Sequence, residues 1–326
     1  ALRLKIDSLL FCSPTIKLNI LAAAFHEKCG LTVANAKGPF NMDSMGIALP
    51  DLRLKTPSSD ILLAFKMDMN AFSTDLPADS TGAFSVNMHG SLGSQDLLTL
   101  ASPYIPRYVR RVWPRVPIVV DGKAGGNLHH LHVNGLHLAM PGIMKVNADG
   151  FVANVTNLAS LRADMTVNAT ASNLSFVTQL LPKSVTSNIN IPRGIGLRGN
   201  VKLDGKRIAT KFSASQGGGS IGGTLALDMK RMAYNADIKA RRLPIAHFLK
   251  HQPVHPFTGS ITAHGSGTDF FAPTTNLRAA VDIKGNRRSA LLGRVLVMFL
   301  LSSQIEPATA SPPFSAVLLT VFVRET

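Results

Sequence analysis

Four histidines fall within nine residues, as His129-His130-Leu131-His132 and then His137. In an extended chain successive side chains alternate, so His130 and His132 share a face with Asn134 while Leu131 and Val133 take the other. Two imidazoles at this spacing can bind zinc or copper once a neighbouring strand supplies a third ligand. Apart from Asp121, no acidic or cysteine partner lies close in sequence. A solvated strand face accounts for the same residues without a metal, and none is expected. Gly217-Gly218-Gly219-Ser220-Ile221-Gly222-Gly223 offers amides of the kind that cradle phosphate. Such loops lead into a helix, whereas Thr224–Met229 alternates as a strand, so a flexible turn is the expectation. His264-Gly265-Ser266-Gly267 lacks the Gly-x-Ser-x-Gly frame of a nucleophile elbow. Zincin, P-loop and dinucleotide fingerprints are absent, and paired carboxylates are scarce. No catalytic residue and no cofactor are expected; the chain does not read as an enzyme.

Two further sets of residues carry conditional chemistry. The sequons Asn154-Val155-Thr156, Asn168-Ala169-Thr170 and Asn173-Leu174-Ser175 matter only in a glycosylating secretory pathway, and chance explains them in an Asn- and Thr-rich chain. Cys12 and Cys29 can pair across neighbouring strands in an oxidising compartment, or stay apart; spacing decides neither. The net charge of +15 calls for anions or solvent, with nucleic acid and anionic membrane as candidate partners. The basic residues alternate singly with apolar ones, and one Trp and three Tyr make a poor base-stacking platform. Nucleic acid is therefore not expected as a partner. A solvated, basic outer sheet face is the plainer reading of the charge.

The elements that hold these residues are mostly strands. Glutamate occurs only at 27, 306 and 325, whereas Thr, Val, Ile and Asn abound, which suits strands and turns over helices. Leu2, Leu4 and Ile6 alternate with Arg3, Lys5 and Asp7. The same pattern recurs at Leu63, Phe65 and Met67, at Phe84, Val86 and Met88, and at Met165 and Val167. It returns at Leu225 and Leu227, at Tyr234, Ala236 and Ile238, and at Leu277–Ile283. One parity is apolar and the other wet, as in a sheet with one solvated face. Asp121-Gly122, Asp149-Gly150, Asp204-Gly205 and Lys284-Gly285 read as hairpin turns of an antiparallel meander. Asp96–Tyr104, Leu174–Leu181 and Leu243–Lys250 carry apolar residues at helical spacing and are each followed by proline. Glycine-marked strands come next, at Ile118–Gly125, Ile195–Gly205 and Phe257–Gly267. The unit recurs about every 70 to 80 residues, as a loosely repeated array.

About twenty strands, each about 4.8 Å from the next, would span on the order of 100 Å with one apolar face that water does not tolerate. Such a sheet closes into a sandwich, forms a membrane barrel or curls lengthwise. An aromatic fraction of 6% argues against the girdles of a barrel. Separate sandwiches predict linkers that the sequence does not show before Asn286. The expected fold is all-β, a mainly antiparallel meander with a few short helices, elongated and curled into an apolar, taco-like β-groove. Residues 1–285 form the repetitive groove segment. Residues 286–326 are an atypical tail in which alternation stops, and its two apolar runs are too short for a spanning helix. It reads as a shifted frame or foreign sequence, with a hairpin insertion or interfacial anchor as the alternative. Leu63, Phe65, Met67, Met165, Val167, Leu225, Leu227 and Ile238 are the expected groove lining, with a dry core as the alternative place for the same side chains.

The stretch Gly219-Ser220-Ile221-Gly222-Gly223-Thr224-Leu225-Ala226-Leu227-Asp228, then Tyr234-Asn235-Ala236-Asp237-Ile238-Lys239-Ala240, resembles the AsmA-like/TamB family of bacterial envelope proteins. So do Leu243-Pro244-Ile245-Ala246-His247-Phe248-Leu249, Phe257-Thr258-Gly259-Ser260-Ile261 and Gly265-Ser266-Gly267-Thr268-Asp269. The resemblance covers residues 1–285 and rests on texture and spacing. It implies a translocation and assembly module of the Gram-negative periplasm, tethered to the inner membrane. A β-groove there passes phospholipid acyl chains or assists outer-membrane protein assembly beside an outer-membrane barrel assembly protein. On this resemblance the chain is an internal fragment, without the anchor that associates the family with the membrane. A structural or adhesive β-rich protein that binds other proteins is the competing expectation.

Overall fold

Branched and aromatic residues alternating with Lys, Asn, Asp and Ser form long strands in the computed structural model, because a pleated chain sends successive side chains to opposite faces. It describes residues 2–73, 75–77, 80–102, 105–157, 159–180, 186–187, 190–248, 250, 256–267, 276–284 and 317–324. These fall into two compact units, Ala1–Thr166 and Val167–Thr326.

In the first unit nine strands each pair antiparallel with the next. They are β1 (Arg3–Cys12), β2 (Thr15–His26), β3 (Thr32–Met42), β4 (Gly46–Lys55), β5 (Asp60–Asp68), β6 (Phe84–Leu92), β7 (Ile118–Gly126), β8 (Leu131–Met140) and β9 (Met144–Ala153). The boundary between units falls inside β10 (Arg162–Ala171). In the second unit β11 (Ile195–Asp204), β12 (Arg207–Gln216), β13 (Gly219–Asp228), β14 (Ala233–Leu243), β15 (Phe257–Ser266) and β16 (Asn276–Lys284) likewise pair antiparallel, each with the next. Of the tail 286–326 only β17 (Val317–Arg324) is described, parallel to β16, and the rest of that stretch lies outside the described residues. The fold is thus mainly antiparallel β with a few short helices, as the alternation predicts.

Helical breaks interrupt the meander after every fourth strand. α1 (Ser94–Leu100) and α2 (Arg107–Val112) follow β6, α3 (Ser175–Thr178) follows β10, and a 3-10 turn, Ile245–His247, follows β14. Their starts at 94, 175 and 245 lie 81 and 70 residues apart. The breaks are shorter than their sequence patterns. Leu243 still belongs to β14, and the single turn that follows starts only after Pro244. α2 has too few residues to show a helical period in sequence.

Of the predicted hairpin turns, Asp204-Gly205 is one, closing β11 onto β12 with Gly205 at φ 57. Asp121-Gly122 and Asp149-Gly150 instead lie inside β7 and β9. Gly122 stands where a Cβ would come 3.0 Å from the Leu136 Cα, and Asp149 Oδ1 accepts the Gly135 amide at 2.6 Å. Both pairs serve a neighbouring strand, which is why they look like turns. Lys284-Gly285 lies partly outside the described residues.

Bulges keep the apolar parity on one face across odd spacings. β8 carries one extra residue at Asn134-Gly135, so Val133 and Leu136 both pair with the apolar set of β9, opposite Gly150 and Ala148. In the first unit, extra residues between Ile20 and Ala23 and between Leu49 and Leu52 do the same. They assemble a closed cluster of Ala23, Val33, Ala36 and Leu52, packed by Phe25, Leu54 and Leu63, with Val33 only 2% exposed. A second cluster, Ala240, Ile245 and Phe257, sits under the 3-10 turn.

Cys12 lies at the Thr15 end of β2 and Cys29 beyond its His26 end. Twelve residues at about 3.3 Å each separate them by roughly 40 Å, far beyond disulfide reach. Both thiols are exposed and free, so the pairing that spacing could not decide does not form within the chain.

On the wet face of the β4–β5 hairpin, Arg53 Nε and Nη2 donate to the two Asp60 carboxylate oxygens at 2.9 and 2.7 Å, and Lys55 Nζ stands 3.3 Å away. The Arg53 hydrogen bonds hold the Asp60 carboxyl down at about 2. A depressed folded value stabilises above the ordinary aspartate range, and that contribution is lost as pH falls toward 2. Carboxyl NMR is expected to show a midpoint near 2 that Arg53→Ala returns to the ordinary range; an unchanged midpoint in the variant would refute the assignment.

Candidate functional site

The register places the expected lining residues on the apolar face of their strands. In the first unit Leu63 faces Leu52 and Met88, Phe65 faces Leu49 and Val86, and Met67 faces Ile47 and Phe84. All three are half-buried. Met165 and Val167 share a face of β10, half-buried between exposed Thr166 and Asn168. In the second unit Leu225 pairs with Thr210 and Ala236, Leu227 with Ile208 and Tyr234, and Ile238 with Gly223 and Ile261. The sets on β5 and on β13–β14 therefore belong to rows running across consecutive strands.

In the second unit one end of this face is open and the other is roofed. Leu197, Val201 and Leu225 are 40%, 38% and 39% exposed. Toward β15 the chain leaves β14 at Leu243, passes Pro244 and returns over the sheet as the 3-10 turn. A cavity of about 190 Å³ lies between turn and sheet, walled by Ile221, Ile238, Ala240, Leu243, Ile245, Phe248, Phe257, Gly259 and Ile261. The turn is tied down by polar groups outside the cavity. His247 Nδ1 and Gln216 Oε1 are 3.0 Å apart, and Gln216 Nε2 donates to the Arg193 carbonyl at 3.3 Å. Asn190 contributes its amide to the Phe248 carbonyl and Nδ2 to the His247 carbonyl, at 2.7 and 3.1 Å.

Next to the open end, Tyr234 lies across from Gly265, where a Cβ would meet its ring. Its hydroxyl is buried without a hydrogen-bond partner among the described residues, and burial pushes the phenol up. Asp228 closes the β13–β14 hairpin. The Arg231 amide, foremost, with the Lys230 amide and Arg207, holds its carboxyl down against burial.

The histidine strand is organised for packing. Asn127 Oδ1 accepts the amides of His129 and His130 at 3.0 and 2.8 Å. The His130 ring stacks on Phe151 at 5.1 Å and 10°, with His132 5.0 Å from His130. His137 lies beyond the bulge, 2.6 Å from Asn147 Oδ1, and Asp121 contacts His89 at 3.1 Å. The described residues contain no group of three His, Cys, Asp or Glu side chains able to hold a metal. Gly217 and Gly218, at φ 55 and 80, make a two-residue hairpin turn leading into strand β13. His264-Gly265-Ser266 is the end of β15.

One arrangement was hidden in the sequence. Asp96, in the first turn of α1, is 8% exposed, and its Oδ2 accepts hydrogen bonds from the hydroxyls of Thr56, Ser58 and Ser59 on the β4–β5 connection. Ser59 Oγ also accepts the Gly93 amide at 2.8 Å. The partners stand 37 to 40 residues from Asp96, and only the meander brings them together. The available signal is a Thr-Pro-Ser-Ser turn followed by an acid at a helix start. With every donor committed to one carboxylate oxygen, the cluster works as a clamp.

No helix among the described residues is long and apolar enough to cross a membrane. No protein-family model, curated protein or solved structure matches the chain.

Proposed function

We propose that the chain is a segment of an AsmA-like, TamB-type scaffold of the Gram-negative envelope. Tethered to the inner membrane in its full-length form, the scaffold stands in the periplasm. Its β-groove carries phospholipid between the two membranes, or supports outer-membrane protein assembly and secretion beside an outer-membrane barrel assembly protein, or does both. It works without catalytic residue, metal or cofactor. Acyl chains lie against the parity of Leu63, Phe65, Met67, Met165, Val167, Leu225, Leu227 and Ile238, while basic and polar side chains of the other parity meet headgroups and water.

The observation that carries this reading is the exposure of apolar rows across successive strands, above all Leu197, Val201 and Leu225. Apolar surface left in water calls for an apolar partner. The competing reading, a structural or adhesive envelope protein with a dry core, draws on the closed cluster around Val33.

Native mass spectrometry of protein purified from envelope membranes without detergent is expected to show bound phospholipid. The double variant Val201→Asp, Leu225→Asp places charge in one cross-strand row. It is expected to lower lipid retention at least about ten-fold, from the apolar burial lost at two side chains. Lipid-free wild-type protein would end the transport reading in favour of the adhesive one.

A further inference from the structure

We infer that the Pro244–Phe248 turn roofs a station for the methyl end of a hydrocarbon chain. The inference rests on the lipid reading and adds one discrete stop to a face otherwise suited to sliding.

The station is built by a distortion. Ala240 pairs with Gly259 and Leu243 with Phe257, so β14 has one more residue than β15 in this interval. Arg242 takes up the difference at φ 44, unfavourable for a side chain with a Cβ, and its amide donates to Thr258 Oγ1 at 3.0 Å. Without the bulge, residues three apart would point to opposite faces. With it, Ala240 and Leu243 both face the cavity, and the chain turns back over the sheet at Pro244. A hydrophobic strand end usually closes onto itself; here about 190 Å³ stays unfilled. Cavities of about 150 Å³ with such walls stay dry and accept apolar guests.

The occupant follows from the lining. Ile, Leu, Ala and Phe side chains offer no partner for an amide or hydroxyl, so a peptide segment would lose its hydrogen bonds on entry. A hydrocarbon chain loses nothing. The cavity is also continuous in register with the open face. Ile238 and Ile261 belong to the row next to Val201–Thr210–Leu225–Ala236–Ala263, whose members beside the cavity are alanines. A chain lying on Leu225 passes over these small residues with its end directed under the turn.

The test uses the full chain with vesicles of phosphatidylethanolamine and phosphatidylglycerol, plus a trace of phosphatidylglycerol bearing a diazirine on one acyl chain. With the diazirine at the chain end, irradiation is expected to label the peptide containing Ile245 and Phe248. With the diazirine at mid-chain, labelling should move to the Leu225 strand. Ala240→Phe, directed between Ile221 and Gly259, is expected to cut labelling of the turn about ten-fold and to spare the Leu225 strand. The shift between diazirine positions reads the wild-type protein, so it holds even if that variant misfolds. Labelling of the Leu225 strand alone, from both positions, overturns the station and leaves lipid carriage standing. No labelling anywhere overturns both. Labelling of the turn by a diazirine fatty acid but not by the phospholipid keeps the station and removes phospholipid as its source.

Discussion

Gly150→Val is expected to lower the apparent melting temperature by roughly 10 °C, from a loss of about 3 kcal/mol or more. Gly150 sits in the middle of β9 at φ 149, a conformation that side chains with a Cβ rarely adopt. A Cβ there would strike the Asp164 carbonyl oxygen and come 2.8 Å from the Met165 Cα and 2.9 Å from its Sδ. Backbone cannot step aside as a side-chain tip can, so strain and collision add. Gly142→Asn is the matched comparison. Gly142 has φ 74 with nothing within 4 Å of its Cβ position, in the turn between Met140 and Met144. Asparagine tolerates that conformation, and a change below about 1 kcal/mol is expected. Equal melting of the two variants would show that β10 does not approach β9 as closely as the structure places it.

The same glycine marks where sequence reasoning succeeds and where it stops. Alternation is a local property, so the strands at Leu63–Met67, Leu225–Asp228 and Tyr234–Ala240, and the face that each presents, are legible in the residues alone. The glycine-marked strands starting at Ile118, Ile195 and Phe257 are legible for the same reason. An Asp-Gly pair is ambiguous. At 204-205 it turns the chain; at 149-150 the acid serves a bulge one strand away and the glycine admits another strand's backbone. Which case holds depends on neighbours that local pattern does not name. The bulges are equally hidden. Val133 and Leu136, or Ala240 and Leu243, look out of phase until the extra residue between them is known. The roof over Ile238 depends on one such bulge, so the alternation predicts the face but not the cavity. The thiols show the reverse case. Strand order alone, once known, separates Cys12 from Cys29 by the length of β2.

Asp96→Ala is expected to cost about 3 kcal/mol and to release α1 before the strands melt. Seven residues are too few for a helix to persist in water by itself, and Gly93 supplies no side-chain cap. What holds α1 is the Asp96 carboxylate, which gathers the hydroxyls of Thr56, Ser58 and Ser59. Alanine leaves those three donors facing a gap, while asparagine still accepts with its carbonyl oxygen and is expected to lose about half as much. Burial, the largest single influence, pushes the Asp96 carboxyl up, but the three hydroxyls together outweigh it and hold it below the ordinary aspartate value. The stabilisation is therefore fully present above that ordinary value and fades as pH falls through the depressed one. Asp96→Asn removes this part of the acid sensitivity, since an amide does not titrate there. Hydrogen exchange at Leu97 and Ala101, whose amides bond the Gly93 and Leu97 carbonyls, reads the helix directly. Faster exchange there in Asp96→Ala, with the β12–β13 amides unchanged, is the expected pattern. Uniform acceleration through the chain would mean that the carboxylate supports the whole fold and not α1 in particular.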